Sequence, residues 1–544
     1  MKDIALPPQT ELRPPEVVMR LKRMGQFFPT RLSFLRVLMR DLADSQAVVT
    51  RPVWEMSAEG FGHAVYQVTL RGHVYSLVMV TQDLPPEARS DRVIATAWDA
   101  AFVLFDGVPQ TEDIARICAE APKQEAGRFT EKDLVLSRAN KSVRLWEHVV
   151  GALRAGHQPD AARLAEIGYL MRTTAVYGNG KFGIADRHIV ADRPGVSGPF
   201  AVEMLTVWLI RHATIDLVSY LGGQRLDDRL ARGLGIGNAT GLGMAPFLVS
   251  HPVLLNNWMM ARETALARAR ALGMDVARAA RLSDLAERAG RHLEGWRVPD
   301  PDHDRVLRDL AVEWAAFAPT VTDHESLDAI YEASLSGSLA LQELVCALLI
   351  EVAGDVVDGL SDCMGDPFGA TPHAFEGTAA VKAAIEQHFG WATDIAYDEA
   401  ENSRRFWYVS AAKLEPRIGD RYAEAGADLE SPLHVSRCIA ALYTDLPDQN
   451  CVISAFLASF PQHAWAISRV ALAERYPYAD IRDNLIAADC LPIDMLRCKL
   501  SFFGATRFDP KSDLWTRVTL AQGAPLAHQL DERADDWWLP EPLA

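Results

Sequence analysis

Residues 200–221 (FAVEMLTVWLIRHATIDLVSYL) constrain the fold of this chain more than any other stretch. They are apolar almost all round, and a helix of that kind has to be covered by protein on every side. Gly222-Gly223 follows directly and predicts the end of the helix, because glycine adopts the left-handed conformation that closes helices. The sequence therefore predicts a buried helix.

Two glycine-rich stretches flank this helix, at residues 171–187 (MRTTAVYGNGKFGIADR) and 233–257 (GLGIGNATGLGMAPFLVSHPVLLNN), and they contain eight glycines. Glycine frees the backbone, so main-chain N–H groups in such loops can turn towards an anion. We expect the two stretches to line one site. A basic group at Arg138, Asn140, Lys141 and Arg144 joins the site if it faces the Tyr177 loop; otherwise it is the solvated first turn of a helix, which is the more frequent case. The predicted substrate-binding residues are Asn140, Lys141, Arg144, Arg172, Thr173, Asn179, Arg187, Asn238 and Thr240.

Lys181 and Tyr177 are the predicted catalytic residues. A lysine between glycines can approach a substrate closely, and it can act as a base where desolvation lowers its pKa. Tyr177 can exchange a proton beside it, because a nearby cation lowers the pKa of a phenol. The alternative is a surface turn with a solvated lysine. The density of polar residues around Lys181 favours the functional interpretation.

The spacing Gly235-x-Gly237-x-x-x-Gly241 matches the loose glycine pattern of dinucleotide-binding turns. That mechanism requires a strand before the glycines, whereas residues 226–232 (LDDRLAR) are charged and helical in pattern. The dinucleotide interpretation is therefore disfavoured, and we expect an irregular glycine loop here. Two interpretations stay open: an anion site at a helix N-terminus, and a tight helix–helix crossing that needs small residues.

Glu351, Asp355, Asp358 and Asp362 recur at i, i+4, i+7 and i+11, which predicts four carboxylates on one helix face. Acids on facing helices can hold metals. The neighbouring valines and leucine lie largely off this face, so a solvated surface is the favoured interpretation. No HExxH, CxxC or GxxxxGK[ST] pattern occurs, so neither a zinc site nor a nucleotide-phosphate loop is expected.

Outside these stretches, periodicity predicts the secondary structure. Residues 64–70 (AVYQVTL) and 73–80 (HVYSLVMV) are separated only by Arg71-Gly72, which predicts a hairpin in a small antiparallel sheet within residues 47–106. Helical patterns dominate afterwards. Thr130 and Asp133 have capping-box spacing and predict a helix running towards Leu153.

The fold class expected is mainly α: a multi-helix body with a small N-terminal α+β domain that contains an antiparallel sheet. Alanine- and arginine-rich residues 254–272 predict a surface helix. At 544 residues the chain is too long for one compact core. The expected organisation is an N-terminal arm and helices at 1–46, the α+β domain at 47–128, a central helical domain at 129–365 and a mostly helical C-terminal domain at 366–544.

Composition excludes several classes of function. The net charge of −17 argues against nucleic acid as the main partner. Seven scattered cysteines without CxxC spacing indicate reduced thiols and a cytoplasmic location. No apolar run reaches the roughly 20 residues that span a bilayer. Residues 20–40 are basic and amphipathic, and packing on their own domain or on a second subunit is favoured over a membrane surface.

The leading hypothesis is an enzyme that acts on a small anionic organic substrate by acid–base chemistry, of the lyase or isomerase type and without a cofactor. A non-catalytic helical scaffold or ligand sensor is the first alternative. A flavin- or nicotinamide-dependent oxidoreductase is the second. The apolar helices and the Trp537-Trp538 tail, which is expected to dock on a neighbour, are compatible with a homo-oligomer.

Overall fold

The structure is a computed structural model. It describes residues 11–20, 23–24, 28, 31–85, 97–123, 130–173, 179–180, 190–238, 251–297, 301–364, 374–395, 406–410, 413–419, 431–482, 503–504, 507–512, 515–530, 537–539 and 543.

One sheet of ten strands forms the centre of the described structure. Its strands are β1 (Val48–Met56), β2 (Gly62–Leu70), β3 (His73–Thr81), β4 (Ala100–Asp106), β5 (Asp133–Lys141), β6 (Tyr169–Thr173), β7 (Asn179–Gly180), β8 (Gly235–Asn238), β11 (Arg507–Ser512) and β12 (Trp515–Leu520). The order is β1-β2-β3-β4-β5-β6-β8-β12-β11, and β7 pairs with β5. Every pair is antiparallel except β6–β8, which is parallel. A separate hairpin joins β9 (Phe406–Ser410) to β10 (Lys413–Gly419).

Helices make up most of the remaining regular structure. They are α1 (Pro15–Val18), α2 (Phe34–Asp44), α3 (Thr111–Glu120), α4 (Trp146–Arg154), α5 (Ala161–Ile167), α6 (Ala201–Gly222), α7 (Asp228–Arg232), α8 (Pro252–Arg270), α9 (Val276–Gly295), α10 (Pro301–Phe317), α11 (Leu327–Ser334), α12 (Leu339–Val352), α13 (Gly354–Val357), α14 (Thr378–Thr393), α15 (Ser431–Asp445), α16 (Ile453–Ser459) and α17 (Ala464–Arg475). The prediction of a mainly α protein is confirmed only in part, because the sheet is far larger than expected. Among the described helices, none combines the length and apolar character needed to span a membrane.

The predicted hairpin is confirmed. Strands β2 and β3 pair over their whole length, from Gly62–Thr81 to Leu70–His73. Arg71 and Gly72 between them have φ angles of 49° and 78°. Two successive left-handed residues make the tight turn whose twist matches that of the flanking strands.

The confinement of β structure to residues 47–106 is wrong, and so is the helix predicted after Thr130. The Thr130 hydroxyl does donate to the Asp133 carboxylate over 3.0 Å, as the capping-box spacing suggests. The chain nevertheless continues as strand β5, and every residue of β5 before Lys141 is buried. Pairing with β4 on one edge and with β6 and β7 on the other outweighs the local helix signal.

The predicted buried helix is confirmed as α6, which packs against the sheet and ends at Gly223 with a φ of 71°. Arg211 of α6 is buried and donates to the carbonyls of Ala231, Arg232 and Leu234, which follow α7 or end it. Burial lowers the pKa of this guanidinium to about 9. Arg211 therefore links α6 by hydrogen bonds to the residue directly before β8.

Helix α8 is not the surface helix that its alanine and arginine content predicts. Fifteen of its residues are buried, among them Asn256, Asn257, Arg262 and Glu263. The Glu263 carboxylate accepts two hydrogen bonds of 2.8 Å from the guanidinium of Arg13. A buried charge is tolerated when a partner of opposite charge satisfies it.

The solvated acidic face predicted at residues 351–362 is wrong for Glu351. The helical run breaks after Val352, and Glu351 is buried and bidentate with Arg36 at 2.7 and 2.8 Å. Asp358 pairs likewise with Arg31, at 2.6 and 2.7 Å. These contacts place Arg31 and Arg36 of segment 20–40 on their own chain, in agreement with the favoured interpretation.

The tryptophan tail docks on its own chain as well. Trp537 and Trp538 are buried in the main hydrophobic core, and the Arg36 guanidinium lies 5.6 Å from the Trp538 ring centroid. That core collects residues from Val18 to Leu543. A second core is formed by α14, α15, α16 and α17. The tail therefore gives no support to self-association.

His212 of α6 generates a pH-dependent stability. Its Nδ1 donates to the Trp208 carbonyl (2.9 Å), and its Nε2 accepts from the Ala527 N–H (2.8 Å). Burial and the neighbouring Arg211 lower its pKa to about 3. Protonation would place an N–H against the Ala527 N–H, so the folded protein keeps the ring neutral.

We expect this contribution to be complete above the unfolded pKa of about 6.5 and to be lost as the pH falls towards 3. Urea unfolding at pH 7.5 and 5.0 measures it. The wild type should lose about 1 to 2 kcal/mol more than His212→Gln over this interval. The exposed His157→Gln control should follow the wild type. Equal pH dependence of the wild type and His212→Gln would contradict the assignment.

Candidate functional site

Polar side chains form one row across the centre of the sheet. Asn140 of β5 pairs in register with Arg172 of β6, and Arg172 pairs with Gly237 of β8. Asp99, directly before β4, extends the row, because its N–H donates to the Asn140 Oδ1 over 3.0 Å. Residues in one register row point to the same face of a sheet. The fold thus aligns groups that are far apart in the chain.

The amide of Asn140 is engaged by the main chain that precedes β4. Besides accepting from Asp99, it donates through Nδ2 to the Ala97 carbonyl at 3.4 Å. The Asp99 carboxylate in turn accepts from the Lys141 N–H over 2.9 Å. Asn140 therefore holds Asp99 in place beside the pairing of β5 with β6.

The row and its surroundings are buried and carry charge. Asp99, Asn140, Arg172 and Arg138, which is two residues before Asn140 on β5, each expose 9% or less of their surface. The Cζ of Arg138 lies 5.4 Å from the centroid of the Trp98 ring. Charges in the interior are screened less than charges in water. Two guanidinium groups and one carboxylate are therefore buried in this part of the described structure.

The opposite face of the same strands carries hydroxyl groups. Ala139, Thr173 and Asn238 form the neighbouring register row on β5, β6 and β8. The hydroxyl of Thr173 is hydrogen-bonded to that of Ser137. Lys141 is on this side too, with its Nζ 5.0 Å from the centroid of the Trp146 ring. The pleat of the sheet therefore separates Lys141 and Thr173 from Arg172.

Both glycine-rich stretches leave the sheet at neighbouring positions. Strands β6 and β8 are parallel, and their last residues, Thr173 and Asn238, are register partners. The chain returns after Thr173 as β7, which pairs with Val135 and Leu136 of β5. In open sheets, ligands bind beyond the carboxyl ends of parallel strands. This pair is where such a site is expected.

The predicted site residues have different outcomes. Asn140, Arg172, Thr173 and Asn238 lie on adjacent strands, in two neighbouring register rows. Arg144 is in the exposed turn after β5, where its carbonyl accepts from Arg163. Asn179 lies in β7 opposite Leu136. The side chains of Asn179 and Asn238 and the residues Tyr177, Lys181, Arg187 and Thr240 lie outside what the structure describes.

The irregular loop expected around Gly235 is in fact strand β8. A Cβ on Gly235 would lie 2.3 Å from the Leu520 carbonyl oxygen, and one on Gly237 would lie 2.9 Å from the Tyr169 ring. These two glycines let strands and an aromatic ring approach closely. Of the two interpretations left open for these glycines, close packing of small residues applies to Gly235 and Gly237. The elements that pack closely are strands, however, and not the helices that this interpretation assumed.

Asp99 of the row and Arg138 beside it were not among the predicted substrate-binding residues, although the sequence includes Arg138 in the basic group near residue 140. Asp99 precedes an apolar strand, and a charged residue there is ordinary in sequence. Arg138 is close to Asn140 in the sequence, but the face to which its side chain points depends on whether the segment is a helix or a strand. In a helix, residues 138 and 172 have no defined relation; in paired strands they share a face. Predicting these two residues would have required knowledge of the strand pairing, which the sequence did not reveal.

Within the described residues, no group of three or more His, Cys, Asp or Glu side chains is placed to hold a metal ion. The acids that suggested one, Glu351 and Asp358, are paired with arginines. No protein-family model, curated protein or solved structure matches this chain.

Gly235→Ala tests the close packing of β8. The new methyl group overlaps a backbone oxygen that cannot move without disturbing β12, so we expect unfolding to become easier by about 2 to 3 kcal/mol in urea titrations. The control is Gly151→Ala, at an exposed position of α4 with no atom within 4 Å of the new Cβ. It should stabilise the protein by about 1 kcal/mol. Equal effects of the two substitutions would contradict the packing role.

Asn140→Ala tests the row itself. It leaves the buried Asp99 N–H without its acceptor, so we expect a loss of about 1 to 3 kcal/mol in the free energy of unfolding. Gln158→Ala is the matched control, since this exposed amide also bonds two backbone groups, those of Arg225 and Asp227. Water replaces the lost bonds there, and the cost should stay well below that of Asn140→Ala. A larger cost for Gln158→Ala would exclude the positioning role of Asn140.

Proposed function

We propose that this protein is an enzyme that acts on a small anionic organic substrate by acid–base chemistry of the lyase or isomerase type. One observation carries the proposal: the parallel strands β6 and β8, which belong to the two glycine-rich stretches, end side by side next to the buried Arg172. Open sheets bind ligands at such ends.

Arg172 is proposed to bind the substrate anion. A guanidinium offers a planar fork of N–H donors that matches a carboxylate or a phosphoryl group. Its place in β6, paired on both edges, gives it the rigid support that a binding group needs. The proposed binding set is completed by Asn140, Asn179, Arg187, Asn238 and Thr240, with the backbone N–H groups of the glycine-rich stretches. Lys141 and Thr173 are left out because they lie on the face opposite Arg172, and Arg144 is left out because it lies in an exposed turn.

Lys181 and Tyr177 are proposed to transfer protons. Lys181 directly follows Gly180, whose pairing with Val135 ties the chain to β5. A neutral lysine amine can remove a proton from the carbon next to an acid group, and a tyrosine can return one to the product. Arg172 would stabilise the negative charge that develops during this step. Neither residue requires a bound cofactor for this chemistry.

Two alternatives use the same loops. A scaffold or ligand sensor would bind the anion without turnover. A flavin- or nicotinamide-dependent oxidoreductase would use the glycines to contact a pyrophosphate, but packing already requires Gly235 and Gly237. The cytoplasmic location and self-association expected from the sequence stay predictions.

A thermal-shift screen of carboxylates and phosphate esters tests the proposal. We expect at least one compound to raise the melting temperature of the wild type, and Arg172→Gln to weaken its binding about tenfold or more because a charge-assisted bond is lost. Arg291→Gln, which removes an exposed arginine from the surface of α9, should bind like the wild type.

Each hit is then incubated with enzyme in D₂O, and turnover or proton exchange is followed by NMR. Lys181→Met should still bind the hit but lose exchange by at least a hundredfold, in line with the usual contribution of a general base. If a hit binds the wild type but no proton exchange or turnover follows, the ligand-sensor hypothesis would be favoured over the enzyme hypothesis. A hit that binds Arg172→Gln unchanged would remove the proposed site.

A further inference from the structure

Arg138 and Arg172 occupy the same face of the sheet on adjacent strands. Ala139 pairs with Thr173 and Asn140 with Arg172, so Arg138 of β5 lies two register positions from Arg172 of β6. Residues two positions apart point to the same side of a strand. Leu136, two residues before Arg138, belongs to the apolar cluster under α3, which identifies this face.

The distance between the two positions suits a shared ligand. Diagonal neighbours on paired antiparallel strands are about 7 to 8 Å apart, which is within reach of long side chains. Ser137 and Thr173 have the same diagonal relation on the opposite face, and their hydroxyl groups are in direct contact. Two arginines in this relation can direct their guanidinium groups to one small molecule.

The surroundings favour rigid, charged recognition. Both arginines are buried, and the Trp98 ring lies against the Arg138 guanidinium. Contact with an aromatic face restricts the orientation of a guanidinium. Two guanidinium groups on one face of a sheet match two negative charges a few ångströms apart better than they match one.

We propose that the substrate site takes a small organic dianion, with one charge bound by Arg172 and the second by Arg138. This inference rests on the proposed function, since it specifies the substrate class of the same site. A dicarboxylate and a phosphate monoester both carry the required pair of charges, and separate arms of the experiment distinguish them.

The test compares matched ligands on the full chain by isothermal titration calorimetry. One arm sets the C3–C6 α,ω-dicarboxylates against monocarboxylates of equal length. The other sets phosphate monoesters against the corresponding methyl phosphodiesters. We expect the dianion of at least one of the two arms to bind at least tenfold more tightly than the matched monoanion, because the second charge forms its own charge-assisted hydrogen bonds.

Three variants test which arginine binds each negative charge of the ligand. Arg138→Gln should reduce the preference for the dianion to about threefold or less while monoanion affinity is kept. Arg138→Lys should retain part of the preference, and Arg172→Gln should weaken both ligands. Circular dichroism and melting curves check folding. If Arg138→Gln does not fold, the preference of the wild type and its reduction in Arg138→Lys decide the question.

The failures are distinguishable. Anions that depend on Arg172 but bind equally well with one charge or two would overturn this inference and leave the proposed function standing. A dianion preference that Arg138→Gln leaves unchanged would also overturn it. If no anion of either arm binds, both the inference and the proposed function fall.

Discussion

The pairing of strand β5 on both of its edges is the constraint on which the rest of the described structure depends. β4 lies along one edge, and β6 and β7 share the other. This register sets Asp99, Asn140 and Arg172 in one row and places Arg138 on the same face. A shift of one residue would turn every side chain of β5 to the opposite face. Arg138 and Asn140 would then leave the face that carries Arg172, and Leu136 would leave the apolar cluster under α3.

The crossover from β6 through α6 to β8 produces the one parallel pair of the main sheet. Parallel neighbours need a long connection, and this one contains the buried helix α6. Close packing completes the arrangement: Gly237 admits the Tyr169 ring, Gly235 admits the backbone of β12, and Arg211 binds the carbonyls that lead into β8. The ends of β6 and β8 are fixed by the same contacts that stabilise the fold.

Buried ion pairs connect the N-terminal segment to the helices of the described structure. Arg13 and Arg36 reach Glu263 and Glu351 in the interior, so the N-terminal segment neutralises carboxylates of helices that come more than 200 residues later in the chain. Losing one partner of such a pair leaves a buried charge, which is strongly unfavourable. Arginines of the N-terminal segment thus neutralise two buried carboxylates of the helical layer.

The sequence by itself determined the elements that local chemistry fixes: the β2–β3 hairpin through Arg71-Gly72, and the helix α6 with its glycine end. It also marked Asn140, Arg172, Thr173 and Asn238 as polar residues beside glycine-rich stretches. Only the tertiary structure decided that residues 133–141 form a strand, that α8 is buried and that Arg138 belongs with Arg172. The physical reason is that pairing and burial depend on partners distant in the chain, whereas turns and caps depend on neighbours.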